Sequence, residues 1–462
     1  MLLVGKSRFR QSGQAIVAAL VLMLLGIAGL VLMYNSGQIT SEKVRVVNAA
    51  DAAAYSGGVW TARQLNFMAY TNRAMIANHV SVGHYVSYVS WIRNTRQNAR
   101  IIARVTSFIP FVNAATSAIN RFAGILTEAT ERFGQAYVPA VNAFNQSLYL
   151  SQIAATINLN PLTINNVMRS TARNYGDIQV NSSRDFEELI SNYGIRGLRA
   201  SERVADQFIQ VTEFTRSYDA TQDDSRVENL VNASLDSSER WIRGNRGWRV
   251  CLFVTCSRIP GNLRLTKRGS TVHTGADQGP TNECNRSFFS RNDNNGSNGL
   301  NWYAKDELQL EIARFRRFRL RWRNIARSCA DANATEFSST YRGIDNYVAL
   351  RNENSVHQML HVTAYATLDT DDATVPVFHT FRESNPSNPD FDVKLRNAIT
   401  DEKVTAFAET EIFHGSDEVL LFSTEAGEFS NLFNPYWHAR SSYGIYDRIT
   451  ETIAGVNDSL SR

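Results

Sequence analysis

Apolar residues run unbroken from Ala15 to Tyr34, where eleven of the twenty positions are Leu, Ile or Val. No charge stands between Arg10 and Glu42. Twenty helical residues at about 1.5 Å each span roughly the 30 Å of a hydrocarbon core, and their insertion is favourable by roughly 3 to 7 kcal/mol. The pattern predicts a transmembrane helix over 14–34. A cleaved secretory signal has a shorter apolar region and an A-x-A-like site close behind it. Neither is present here, so a retained anchor is expected.

Beyond the span the apolar period becomes helical. Within 59–102, Val82, Val86, Val89 and Ile92 fall on one stripe, which predicts an amphipathic helix. The most regular period comes next: Val112, Ala115, Ile119, Phe122, Leu126, Ala129, Phe133, Ala136, Ala140, Phe144 and Leu148 recur at steps of three and four. Such a stripe needs a partner helix. An intramolecular hairpin against 59–102 is the expectation, and an intermolecular coiled coil the alternative. Pro139 should kink or split this helix near Tyr137. Less regular helical patterning resumes over 162–174 and 186–218.

After about residue 235 the character changes. GWRVCLFVTCSRI, NLRLTKRGSTV, HVTAYATL, VPVFHTF and KVTAFAETEIF are short, rich in β-branched or aromatic residues, and bounded by Gly, Pro, Asn or Asp. The predicted class is α+β: one N-terminal transmembrane helix, a region rich in helical hairpins, then a mixed or antiparallel β-containing domain. The divisions are 1–13, a basic leader; 14–34, the span; 35–234, helical; and 235–462, β-rich.

Charge sets the orientation. Lys6, Arg8 and Arg10 precede the span, so the positive-inside bias places 1–13 in the cytoplasm and the bulk outside. A net charge of +4 over 462 residues gives no pointer to nucleic acid, which is not expected as a partner. The four cysteines, Cys251, Cys256, Cys284 and Cys329, all fall in the extracytoplasmic part. In an oxidising compartment they read as two disulfides. Three pairings are possible, and Cys251–Cys256 with Cys284–Cys329 is favoured because the first closes a tight local loop.

The candidate chemistry is sparse. Gly5-Lys6-Ser7 lacks the glycine and spacer of a phosphate loop, and His357 and His361 have the zincin spacing with Gln358 where the glutamate belongs. His79 and His84, five apart, suit packing rather than ligation. The polar loop 290–299, counted from Asp293, lacks the sixth-position glycine and twelfth-position glutamate of a calcium loop. Asp369, Asp371 and Asp372 read as a turn. No enzyme activity, cofactor, metal or small-molecule substrate is expected. Residues 314–327, RFRRFRLRWRNIAR, hold seven arginines among Phe315, Phe318 and Trp322. Arg314, Arg317, Arg319, Arg321 and Arg323 suit an anionic partner, namely lipid head groups, DNA or an acidic subunit surface, and carry the alternative function of a minor pilin-like or adhesin-like binding module. The alternative is a solvated face whose arginine stems cover apolar neighbours.

The N-terminal residues carry two resemblances. Gly13 after a basic leader and before an apolar helix has the layout of a type IV prepilin, where cleavage falls between the positions of Gly13 and Gln14. The acidic residue that a major pilin carries five positions past the cut is Ala18 here, which suits an unprocessed anchor or a minor subunit. The helix and its continuation VRVVNAADAAAYSGG resemble the N-terminal module of the TadG-like proteins of Tad (Flp-type) pilus assembly. Asn48, Ala49, Ala50, Asp51, Ala52 and Ala53 stand at the motif positions, and NPYWHAR at 434–440 looks like a later feature of larger members. The resemblance implies a bacterial inner-membrane protein with a periplasmic or extracellular bulk. Its partners would be the lipid bilayer and other pilus-assembly or pilin subunits, and it brings no catalytic residues. The alanines leave a helix surface that another helix can approach closely, and Asp51, the one charge in the run, is a candidate partner contact.

Overall fold

The computed structural model describes residues 14–105, 110–181, 214–219, 246–251, 259–274, 301–316, 319–341, 343–351, 360–369, 403–415 and 430–442, with single helical positions between 227 and 234. The chain is α+β. Its spine is α1, Gln14–Val105, a 92-residue helix. The first proline of the sequence is Pro110, so nothing earlier removes a backbone donor from the ladder. At about 1.5 Å per residue α1 is about 140 Å long. Among the described residues its first twenty stand clear, and its remainder is the rod on which the sheets and the other helices pack.

Helix α2, Pro110–Asn158, turns back antiparallel along α1. Three contacts set the register: Arg93 with Glu131 (3.0 Å), Asn78 Nδ2 donating to Asn145 Oδ1 (2.9 Å), and Trp60 Nε1 donating to the Asn158 carbonyl (3.2 Å). α2 is one helix across Pro139, so of the expected kink or split near Tyr137 the split does not occur. Helix α3, Pro161–Ala172, is capped by the Asn160 side chain, which accepts from the Thr163 amide at 2.9 Å.

Among the described residues three antiparallel sheets flank the helices. The first has the order β1 (Gln179–Asn181), β8 (Leu360–Asp369), β9 (Lys403–His414), β10 (Trp437–Ser442). The second pairs β2 (Thr215–Asp219) with β7 (Asn346–Leu350). The third is a meander of β3 (Trp248–Cys251), β4 (Leu263–Thr274), β5 (Asn301–Arg316) and β6 (Arg319–Asn333). The first sheet packs on α1 between Val46 and Met68, and the third between Met75 and Ala99. Where the third sheet meets the rod, Trp302 is fully buried and donates Nε1 to the His79 carbonyl at 2.7 Å. Gly83 makes room for it, since a Cβ there would lie 2.7 Å from the indole.

Several expectations change. Thr215–Asp219 is a strand rather than part of a helical stretch, and β1 adds a short strand before it. Segments 186–213 and VPVFHTF lie outside the described residues. The arginine run proves to be two strand ends of one hairpin. The clearest departure concerns the regular stripe of α2. Ile119, Phe122, Phe133 and Phe144 face outward, while the face against α1 holds Thr116, Ala123, Thr127, Thr130, Val138, Asn142, Asn145 and Gln152. A period tells which residues share a face and not which way that face points. The inner face is small and polar because it meets α1 by close approach and hydrogen bonds: Tyr85 Oη donates to the Thr130 carbonyl (2.6 Å), and Gln152 Nε2 donates to Asn72 Oδ1 (2.7 Å).

Candidate functional site

The N-terminal module divides into a bare segment and a docked one. From Ile16 to Tyr34 the large apolar side chains are about half to three-quarters exposed, among them Leu22 (69%) and Met33 (77%). The helix is long and apolar enough to cross a membrane, with a mean hydropathy of 2.9 over its most apolar window. The motif comes next on the same helix. Ala49, Ala50, Ala53 and Ala54 are buried, Ala52 is half-buried, and Asn48 and Asp51 are exposed on the opposite side.

The small-residue face is occupied from within the chain. Ile164 and Met168 of α3 and Val362, Ala364, Ala406 and Ala408 of β8 and β9 form one core with it. A Cβ on Gly58 would lie 2.3 Å from Thr410 Cγ2, so glycine lets the helix touch the sheet. The expected close approach of another helix is therefore met by the chain's own α3 and β-sheet. Asp51 points away from this contact, and partial desolvation raises its carboxyl above the ordinary value. Farther along, Asn66 clamps the start of β10: its Nδ2 donates to the Trp437 carbonyl and its Oδ1 accepts from the Trp437 amide, both at 2.9 Å. That places NPYWHAR against α1. Nothing in the sequence pattern revealed this contact, 371 residues away along the chain.

The arginine run sits on the β5–β6 hairpin. Arg314 lies directly opposite Arg321, Arg316 opposite Arg319, and Arg323 opposite Ile312. Like charges facing across strands are destabilising. Arg314, Arg321 and Arg323 are exposed, and Arg317 lies outside the described residues. Nearer the sheet centre the charges are matched: Arg264 meets Glu311 and Arg327 meets Glu307, each at 2.5 Å. The Arg264 guanidinium also stacks over Trp322, 4.4 Å from the ring centroid.

Cys251 and Cys329 lie on β3 and β6, the outer strands of the third sheet among the described residues, and neither is a free thiol. Three strand spacings, about 14 Å, separate them, twice the Cα reach of a disulfide, so they are not partners of each other. Cys256 and Cys284 lie outside the described residues.

His79 is buried at the join of α1 and the third sheet. Its Nδ1 is 2.7 Å from Tyr341 Oη and its Nε2 is 2.7 Å from His273 Nε2. Burial holds His79 well below the ordinary imidazole value, with the neighbouring His273 adding to it, and brings His273 down to about 4. His79 therefore packs and hydrogen-bonds, as its spacing from His84 predicts. His361 lies on β8, 2.8 Å from Glu409, so it has no helical neighbour of zincin type, and His357 lies outside the described residues. Residues 290–299, Asp371 and Asp372 also lie outside them, as do Gly13 and the Gln14 side chain. Among the described residues no group of three or more His, Cys, Asp or Glu could hold a metal ion.

The family model of Tad, the TadE/G-like proteins of Flp pilus assembly, matches residues 13–63. No curated protein and no solved structure matches the chain. The matched stretch holds both the bare apolar segment and the alanine face docked on the first sheet. Residues 13–63 are thus similar to the TadE/G-like module of Flp pilus assembly, within a larger α+β chain.

Proposed function

We propose that the chain is a structural component of Tad (Flp-type) pilus assembly. It is anchored in the bacterial inner membrane by 14–34, with 1–13 in the cytoplasm and the α+β bulk in the periplasm. The observation that carries this is the coincidence of the Tad match with a bare apolar segment that continues, as one helix, into the rod supporting the ectodomain. The helix then acts as a stalk: it fixes the distance and direction of the sheets packed on it relative to the bilayer, and its ladder runs unbroken from Gln14 to Val105. On this reading the four cysteines are oxidised. Cys251–Cys256 with Cys284–Cys329 is the favoured pairing, and Cys251–Cys284 with Cys256–Cys329 is the other that edge-strand placement leaves.

Alkaline carbonate extraction tests anchoring, and protease added to spheroplasts tests orientation. The reading requires a membrane-retained chain whose bulk is digested from outside. Mass spectrometry of the mature N-terminus separates an uncleaved anchor from a processed chain starting at Gln14. Deletion of the gene must abolish or alter piliation; a normal pilus in the deletion strain overturns the assignment.

The facing arginine pairs of the β5–β6 hairpin favour a second reading, a binding module for an anionic surface. Asn98 of α1 meets Ser328 of β6, and the hairpin tip lies farther along still. That is about 95 Å of helix beyond Tyr34, so the bilayer holding the anchor is out of the tip's reach. An acidic protein surface fits this position best. Retention on an acidic resin that Arg321→Glu with Arg323→Glu leaves unchanged removes the reading.

A further inference from the structure

The outer face of α2 has the form of a seam. Ala115, Ile119, Phe122, Leu126, Ala129, Phe133, Ala136, Ala140 and Ala143 succeed one another at strictly alternating steps of four and three over four heptads. A sustained 3.5-residue period is the signature of a helix that winds left-handed around another. Among the described residues this face has no partner: α1 takes the opposite side of α2. Ile119 is 58% exposed, Phe122 68% and Phe133 57%, with Ile125 and Phe144 exposed on the flanks. Soluble surfaces rarely expose contiguous apolar patches of this extent.

Lipid does not cover it. The Arg93–Glu131 contact sets the middle of the seam level with Arg93 of α1, about 59 residues and so about 90 Å beyond Tyr34.

We infer that the seam is a homodimer interface, occupied by α2 of a second copy of this chain in parallel orientation. Two observations choose this occupant. The first is area. Aromatic side chains carry roughly 150–250 Å² each and isoleucine somewhat less, so the three phenylalanines and two isoleucines, about 60% exposed, offer about 550 Å² per copy. The alanines bring the total close to the 800 Å² per partner of a standard interface. The second is repeat. What fits a strict heptad seam is another heptad seam, and a two-fold axis gives each residue its own copy as partner. Parallel orientation rests on the anchored reading above. Two chains rooted in one bilayer point the same way, and shared anchoring raises the effective concentration of one seam at the other. The d-position alanines, 115, 129, 136 and 143, let the two helices approach closely, while Phe122 and Phe133 fill the layers between.

The test uses the full chain in a mild detergent. Protein mass by light scattering at about 10 μM, above the micromolar Kd at the weak limit of interfaces of this size, is expected to be twice 51.8 kDa. Ile119→Asp with Phe122→Asp is expected to halve that mass with far-UV circular dichroism and Tm unchanged, because both side chains are exposed. Ala129→Cys is expected to form an oxidant-induced crosslink with its own copy, and Gln135→Cys, exposed but off the seam, is not. Three results overturn the inference: a monomeric wild type, a dimer that survives the double aspartate variant, or crosslinking only when Ala129→Cys chains are mixed with Phe133→Cys chains, which requires antiparallel helices. Carbonate extraction reports on the anchor independently, so loss of the seam and loss of the anchored reading are separate outcomes.

Discussion

Gly58→Ala distinguishes a motif docked on its own sheet from one held open for a partner. In an exposed helix the change adds about 1 kcal/mol of stability, because alanine loses less backbone freedom on folding. Here the added methyl lands 2.3 Å from Thr410 Cγ2 and 3.4 Å from Ala439 Cβ, whereas carbon atoms rest at about 3.5–4.0 Å. Overpacking of this kind costs typically 1–3 kcal/mol. Thr410 is 1% exposed in strand β9, so relief requires the helix or the strand to move. The net expectation is a loss of about 1–2 kcal/mol, or a Tm lower by several degrees in a core of this size. Thr410→Ser removes the offending methyl. On that background Gly58→Ala is expected to lose its penalty, giving a coupling of about 1–3 kcal/mol in a double-mutant cycle. Gly37→Ala, where nothing lies within 4 Å, is the control and should be neutral or stabilising. The readout is thermal unfolding of the full chain in detergent, monitored by circular dichroism. If Gly58→Ala stabilises the protein as much as Gly37→Ala does, the alanine–glycine face is not packed on β9 and the reading of the motif fails.

Three further outcomes are expected. Asn72, 1% exposed, donates to the carbonyls of Val348 (2.8 Å) and Leu432 (2.7 Å), so Asn72→Ala leaves two buried acceptors unpaired. It should cost about 2–4 kcal/mol by chemical denaturation, and a loss below about 0.5 kcal/mol would contradict the contact. His273, brought down to about 4 by burial, stays neutral in the fold while the unfolded chain takes up protons below about pH 6.5. Its contribution is complete above about pH 6.5 and is lost as pH falls toward 4, about 3 kcal/mol in all. His273→Asn should flatten that part of the Tm–pH profile, and an unchanged slope refutes the assignment. Arg321→Glu replaces a facing Arg314–Arg321 pair by an opposite-charge pair and should raise stability by a few tenths to about 1 kcal/mol. A fall in Tm would show that the hairpin charges are already neutralised within the chain.

The apolar helix, its length and the helical character of the residues behind it were legible in the sequence because each is a local property. Twenty apolar residues in a helix are long enough to cross a bilayer whatever surrounds them, and a stretch of α1 without proline stays helical. The α+β class was legible for the same reason, through the short β-branched segments that became β3, β4, β8 and β9. Only the tertiary structure decided which neighbour each face meets. The alanine run was readable as a surface for close approach, yet the approaching elements, α3, β8 and β9, come from residues 161–172 and 360–414. The α2 stripe was readable as one face, yet whether it turned inward depended on hydrogen bonds that Asn78 and Tyr85 of α1 donate and Asn72 accepts, which selected the polar side. The arginine run was readable as charge, and its concentration came from a hairpin register that set Arg314 against Arg321. Periodicity is fixed by bond geometry within one element, whereas pairing is a choice among distant surfaces. That choice is settled by the summed burial and hydrogen bonding of the whole fold.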